Sequence, residues 1–209
     1  MLHLAVRRSV VCCGVGAALA LQSNLRGDSN PLLSRCDPGL ISTACLSLKT
    51  ANTIAAAVVE AAVRNSFKPI TVTIVDPAGN IIVVQRMDGC APGAFPEYSL
   101  AKARAAVYLL MPSRDFRDRY TPVGTSKPQD FSKLSQLFAM VEISGSQIAP
   151  FPGGVLLRDK NGTVVGAIGV SGSAGDEDEY CALQGVKAVS ALQLTSEPAQ
   201  HSCATVKDR

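Results

Sequence analysis

Apolar residues recur along this chain in two different periods, and the changes of period mark out its elements. Between 47 and 65, Ile54, Val58, Ala61 and Ala62 fall at i, i+4, i+7 and i+8, one stripe of a helix, with Lys49, Asn52, Glu60 and Arg64 off it. Ser47 stands where an N-cap belongs. Ile70 to Val75 and Ile81 to Arg86 are short β-branched runs around Asp76-Pro77-Ala78-Gly79-Asn80, and together they predict a hairpin. Ser99 to Leu110 predicts a helix with Ala101, Ala105 and Tyr108 along one face and Tyr108 in the core. Pro112 stops it, and Ser113 is placed to cap a short helix reaching about Tyr120.

Residues 121–135 hold Pro122, Gly124 and Pro128 and predict a surface loop. Leu137 to Ile143 is apolar and fits helix or strand. Val155–Arg158 and Thr163–Val170 predict a second hairpin, turned by Asn161-Gly162. The last helix is predicted from Asp176 to Leu192, with Ala182, Val186 and Val189 on one face. Both hairpin turns place Asp three residues before Gly, and each hairpin is followed by a helix. Helix, hairpin, helix, hairpin, helix is the order of an α+β domain, an antiparallel sheet built from two β-hairpins with helices packed on it. It is not the alternating order of a dinucleotide-binding fold.

The ends read differently. Residues 1–22 have Arg7 and Arg8 ahead of an apolar stretch, then Ala18-Leu19-Ala20, the small-x-small pattern of a cleavage site. We expect a cleavable presequence there, directing the chain to the secretory pathway or to an organelle, mitochondrion or plastid. The apolar stretch is short for a membrane span, so none is expected in the mature chain. Residues 23–45 read as a linker, 46–192 as the folded domain and 193–209 as a polar tail.

Composition narrows the function more than it names it. The 209 residues are 47% hydrophobic and 18% charged, as in globular proteins. A net charge of +3, no Trp and scattered basic residues give no footprint for nucleic acid. Seven cysteines include no C-x-x-C pair, which argues against structural zinc. Cys36 and Cys45 could bridge a loop or remain thiols. The only histidines are His3 and His201, so Ser171 and Ser173 have no histidine partner within the domain and a Ser-His-Asp hydrolase is excluded. The glycine-rich stretch ahead of the last helix invites comparison with a phosphate cradle, but Asp176, Glu177, Asp178 and Glu179 occupy the positive end of that helix.

The blocks Val75-Asp76-Pro77-Ala78-Gly79-Asn80, Gln85-Arg86-Met87-Asp88-Gly89, Ala101-Lys102-Ala103, Gly153-Gly154 and Val165 to Gly172 resemble, in order, those of the GlcG/HbpS-like haem-binding family. The carboxy-terminal domain of the PduO-type corrinoid adenosyltransferase belongs to the same family. The resemblance covers roughly residues 46–192. It implies a profilin-like domain forming homo-oligomers, dimers to octamers, linked to haem binding or degradation, redox sensing and glycolate utilisation. The chain departs from the family block Lys-Ala-x-Thr-Ala at Ala105, although a hydroxyl survives at Ser113.

The resemblance makes haem or a related tetrapyrrole the first expected ligand. Two alternatives stand beside it: an enzyme or accessory factor for a small organic acid such as glycolate, and a scaffold without ligand. Ligand-binding candidates are Arg86, Met87, Tyr98, Lys102, Ser113, Gly169, Ser171 and Gly172. Arg86 and Lys102 could meet a carboxylate, Met87 could offer a thioether to iron, and Tyr98 or Tyr108 a phenolate. The pocket is expected between the helix at 99–110, the loop 87–98 and the segment 166–175. No catalytic residue is named.

Overall fold

The computed structural model describes residues 43–91, 95–121 and 130–193. The presequence and most of the linker lie outside them, as do Cys36 and all of the tail but Gln193. Helix α1 is Leu48–Asn65, strands β1 and β2 are Thr71–Val75 and Ile81–Arg86, and helices α2, α3 and α4 are Phe95–Leu109, Ser113–Tyr120 and Phe131–Ile143. Strands β3 and β4 are Gly154–Asp159 and Val164–Ser171, helix α5 is Gly175–Lys187, and Leu192–Gln193 form a short β5. No helix among the described residues is long and apolar enough to cross a membrane.

The strands make one antiparallel sheet in the order β2-β1-β4-β3-β5. The two hairpins join through β1 and β4, with Val72 opposite Val170 and Ile74 opposite Ile168. This is the α+β architecture that the hairpin–helix order predicts.

The two hairpin turns repeat each other in hydrogen bonds as well as in sequence. The Asp76 carboxylate accepts from the Ala78 and Asn80 amides at 2.8 and 2.9 Å. Asp159 accepts from Asn161 and Thr163 at 2.9 and 2.8 Å. The following glycines, Gly79 and Gly162, take φ of +82° and +83°, a conformation that favours glycine over residues with a Cβ.

Alternation along the strands gives the sheet two distinct faces. Val72 and Ile74 of β1, Val155 and Leu157 of β3, and Ile168 and Val170 of β4 pack under α1 and α5, with Ile54, Val58, Leu183 and Val186. The intervening residues Val75, Leu156 and Ala167 pack under α2 with Ala103, Ala106 and Val107. On this face α2 comes very close: a Cβ at Gly169 would run into the Ser99 carbonyl. A third cluster, Ala105, Phe116, Leu137 and Ile148, joins α3 and α4 to α2.

Four expectations need correction. Helix α2 begins at Phe95, not Ser99, because a proline in the first turn gives up no helical bond; Ser99 is interior and bonds Thr73 Oγ1 at 2.6 Å. Tyr108 is 45% exposed, not core, and its ring lies against the Gly79 turn. The segment 131–143 is helix, capped by Asp130, whose side chain accepts from the Ser132 and Lys133 amides at 3.0 and 3.4 Å. Helix α5 stops at Lys187, and Leu192 leaves helical periodicity to pair with β3 while packing on the main core.

Candidate functional site

A cleft of about 520 Å³ opens where α2, α3 and the start of α5 converge. Tyr98 and Phe151 stand at it half exposed, 48% and 54%, beside Pro152. Lys102, Ser171 and Asp178 line it from buried positions. Arg117, Ser173, Ala174, Gly175 and Asp176 complete it.

The acidic start of α5 accounts for the geometry. Asp178, 1% exposed, takes the Lys102 ammonium on Oδ2 at 2.8 Å and the Ser173 amide on Oδ1 at 3.0 Å. Lys102 also donates to the Val170 carbonyl at 2.8 Å. Burial outweighs the attraction of Lys102 and pushes the Asp178 carboxyl up to about 6. On either side of Asp178 in sequence, Glu179 accepts from Arg114 of α3 at 2.6 Å and Asp176 accepts from the same guanidinium. Burial raises Glu179 as well, against the pull of Arg114. Glu177 turns back to accept from the Ser173 hydroxyl and from the Ala174 amide.

The four carboxylates thus divide among three sets of partners: Lys102 and the Ser173 amide for Asp178, Arg114 for Asp176 and Glu179 together, and the Ser173 hydroxyl and Ala174 amide for Glu177. Among the described residues no cluster of His, Cys, Asp or Glu could hold a metal ion. The same pairings tie the segment 173–179 to α2 and α3 and hold the cleft's wall in place.

Of the sequence candidates, Tyr98, Lys102 and Ser171 come together in the cleft. Tyr98 sits in the first turn of α2, not in a loop before it. Ser113 is not a cap: α3 is preceded by Pro112 at the cap position, with no side-chain cap bond. The Ser113 hydroxyl donates to the Phe151 carbonyl at 2.5 Å and accepts from the Gly154 amide at 2.8 Å, so it positions the loop carrying Phe151.

Gly169 lies beneath α2 and Gly172 against the Pro69 carbonyl, both serving backbone approach away from the cleft. Arg86 and Met87, at the end of β2, also lie apart from the cleft. Arg86 donates to the Cys90 carbonyl at 2.5 Å, and the Met87 sulfur accepts from the Ile70 amide at 3.4 Å. Of the described residues of the loop 87–98, Tyr98 lines the cleft; residues 92–94 lie outside the described residues. Phe151, Pro152 and Arg117 are cleft residues that the sequence did not single out. Pro150-Phe151-Pro152 ahead of the Gly153-Gly154 block was the available signal for the first two.

The chain resembles several solved structures. A double mutant of HbpS from Streptomyces reticuli is 28% identical, with 78% of this chain and 99% of that one covered at a TM-score of 0.60. Klebsiella pneumoniae protein ORFY is 26% identical, with 76% and 100% covered at 0.61. A PduOC:haem complex, 23% identical with 73% and 99% covered at 0.60, shares the fold. No curated protein sequence matches. A family model matches residues 46–187, the span that contains every cleft residue. The chain belongs to the family described as haem degrading protein HbpS-like.

Proposed function

We propose that the cleft binds a flat tetrapyrrole, haem or a relative, in a self-associating protein. The observation that carries this reading is the pair of half-exposed rings, Tyr98 and Phe151, at a cleft with a polar floor. Aromatic surface left open at a concave site is the usual lining for a planar apolar ligand. The family description and the haem complex of a same-fold neighbour support the same ligand class.

The residues present fit the group in part through an unusual iron partner. Neither histidine of the chain lies among the described residues. Tyr98 is the cleft side chain of a type that ligates haem iron, and Arg117 the cation best exposed to a propionate. When bound, haem would supply the redox chemistry; the protein's part is to stack, orient and screen it. Self-association is supported by α4, where Phe131, Phe138 and Ile143 are 77%, 63% and 86% exposed.

Haemin titration of the full chain tests the proposal. A saturable change in the Soret band at micromolar haemin is expected. Tyr98→Phe should keep the stacking but remove the phenolate-to-iron absorption. No saturable binding would overturn the haem reading, and a light-scattering mass of one chain would overturn self-association.

A further inference from the structure

Two buried polar groups of the cleft have hydrogen-bonding capacity that no described residue uses. Lys102 is 5% exposed, and an ammonium carries three N–H donors. Two are accounted for, by the Val170 carbonyl and Asp178 Oδ2. The third has no acceptor among the described residues, and Lys102 lines the cleft. Ser171 is 4% exposed and lines the same cleft, and its hydroxyl makes no hydrogen bond among the described residues. Roughly nine in ten buried polar groups are paired, so two open donors in one cleft call for a third party.

We propose that the cleft floor is a carboxylate subsite, in which the Lys102 ammonium and the Ser171 hydroxyl receive one carboxylate of the ligand. The subsite rests on the reading of this cleft as the ligand site. It deepens that reading by naming the ligand group that the floor receives.

Charge selects a carboxylate over a phosphate. The groups facing Asp178 are Lys102 from α2 and Glu177 on its own helix, with Arg114 and Arg117 of α3 at the flank. Arg114 is held by Asp176 and Glu179, and Arg117 by Asp118 at 2.6 Å. From the described residues of β4 and the segment after it, the Ser173 amide donates to Asp178 and the Val170 carbonyl accepts from Lys102. One arriving negative charge can be balanced by one proton on Asp178, whose carboxyl burial pushes up to about 6 and so makes easier to protonate. A dianion would face Asp176 and Asp178 with no such balance. Binding therefore takes up a proton, and affinity rises as pH falls toward about 6 and levels off below it.

The full chain is titrated with haemin, with haemin dimethyl ester, which lacks free carboxylates, and with acetate. If the carboxylate comes from the tetrapyrrole, haemin should bind at least about ten-fold tighter than the ester, and Ser171→Ala should remove much of that margin without weakening the ester. If it comes from a free acid, acetate should raise the melting temperature of the wild type but not of Ser171→Ala. Acetate binding of this kind, with neither porphyrin bound, would sink the tetrapyrrole reading and keep the subsite. Haemin and ester binding equally, with no acetate effect, would overturn the subsite and keep the tetrapyrrole. An unchanged carboxylate affinity in Ser171→Ala would also overturn it, because a buried water would then satisfy the two donors equally well.

Discussion

The two faces of the sheet are built from alternate residues of the same strands, yet they are made for different ends. Under α1 and α5 the contacts are large and apolar: Ile54, Val58, Val72, Ile74, Leu157, Ile168 and Leu183. Under α2 the sheet offers Val75, Leu156 and Ala167, then Thr73, Gly169 and Ser171, and the helix answers with alanines, Ser99 and Lys102. The first face removes large apolar side chains from water, the main driving force of folding. The second gives up that area for closeness. Small residues let α2 approach until Lys102 reaches both the end of β4 and the first turn of α5. Large apolar burial is concentrated on one face and the buried polar pairs of the cleft on the other.

The largest expected effect breaks the polar face. Lys102→Met leaves Asp178 buried without its cation and should cost about 3–5 kcal/mol in urea denaturation. Restoring neutrality with Lys102→Met and Asp178→Leu together should recover a good part of that loss, since both positions are buried. A single-variant loss below about 1 kcal/mol would mean that the pair is hydrated and that the two faces differ less than described. On the apolar face, Leu183→Ala should cost about 2–5 kcal/mol, and no second substitution at a charged position should restore it.

This contrast also explains which parts of the fold are legible in the sequence. Where burial is apolar and periodic, the pattern suffices: the stripe at Ile54, Val58, Ala61 and Ala62 is buried, and the Asp-x-x-Gly turns form as their spacing implies. The polar face is written less plainly, because its pairs join residues far apart, such as 102 with 178 and 114 with 179. A signal was present all the same. Lys102 stands three and four residues from Ser99, Ala105 and Ala106, on the buried side of its helix, and Asp178 stands four before Ala182. A charge in a buried register needs a partner, and each supplies the other's. Arg86 ends β2 and Met87 follows it, next in sequence to the loop that leads to Tyr98, and the strand carries them away from the cleft. Leu192 was assigned to the helix because its spacing fits, but pairing with β3 decided otherwise.

A smaller effect sharpens the comparison through pH. Burial holds the folded-state carboxyl of Asp178 up at about 6 from 3.8, so between those values the folded chain keeps a proton that the unfolded chain has released. The resulting stability is fully present below the unfolded value and is lost as pH rises through about 6. Glu179 is shifted in the same direction. The melting temperature should therefore fall from about pH 5 to about pH 7 by more in the wild type than in Asp178→Asn. Equal slopes would show that the pair titrates like surface groups.

The smallest expected change in stability is also the most telling about function. Tyr98 is 48% exposed, and its recorded ring contact is an edge-on meeting with Phe95 at 6.2 Å between centroids. Replacing it by alanine removes little buried area, so unfolding should shift by no more than about 0.5 kcal/mol. A ring in that position contributes little to the fold, and a purely structural account gives it no task. If the cleft holds a planar ligand, Tyr98→Ala should nevertheless weaken haemin binding by about ten-fold or more, the loss of one aromatic face. Calorimetry and haemin titration on the same preparation read the two numbers independently. A variant that loses stability but not affinity would move Tyr98 to the structural side of the molecule; intact stability with lost affinity would fix the polar face as the one that meets the ligand.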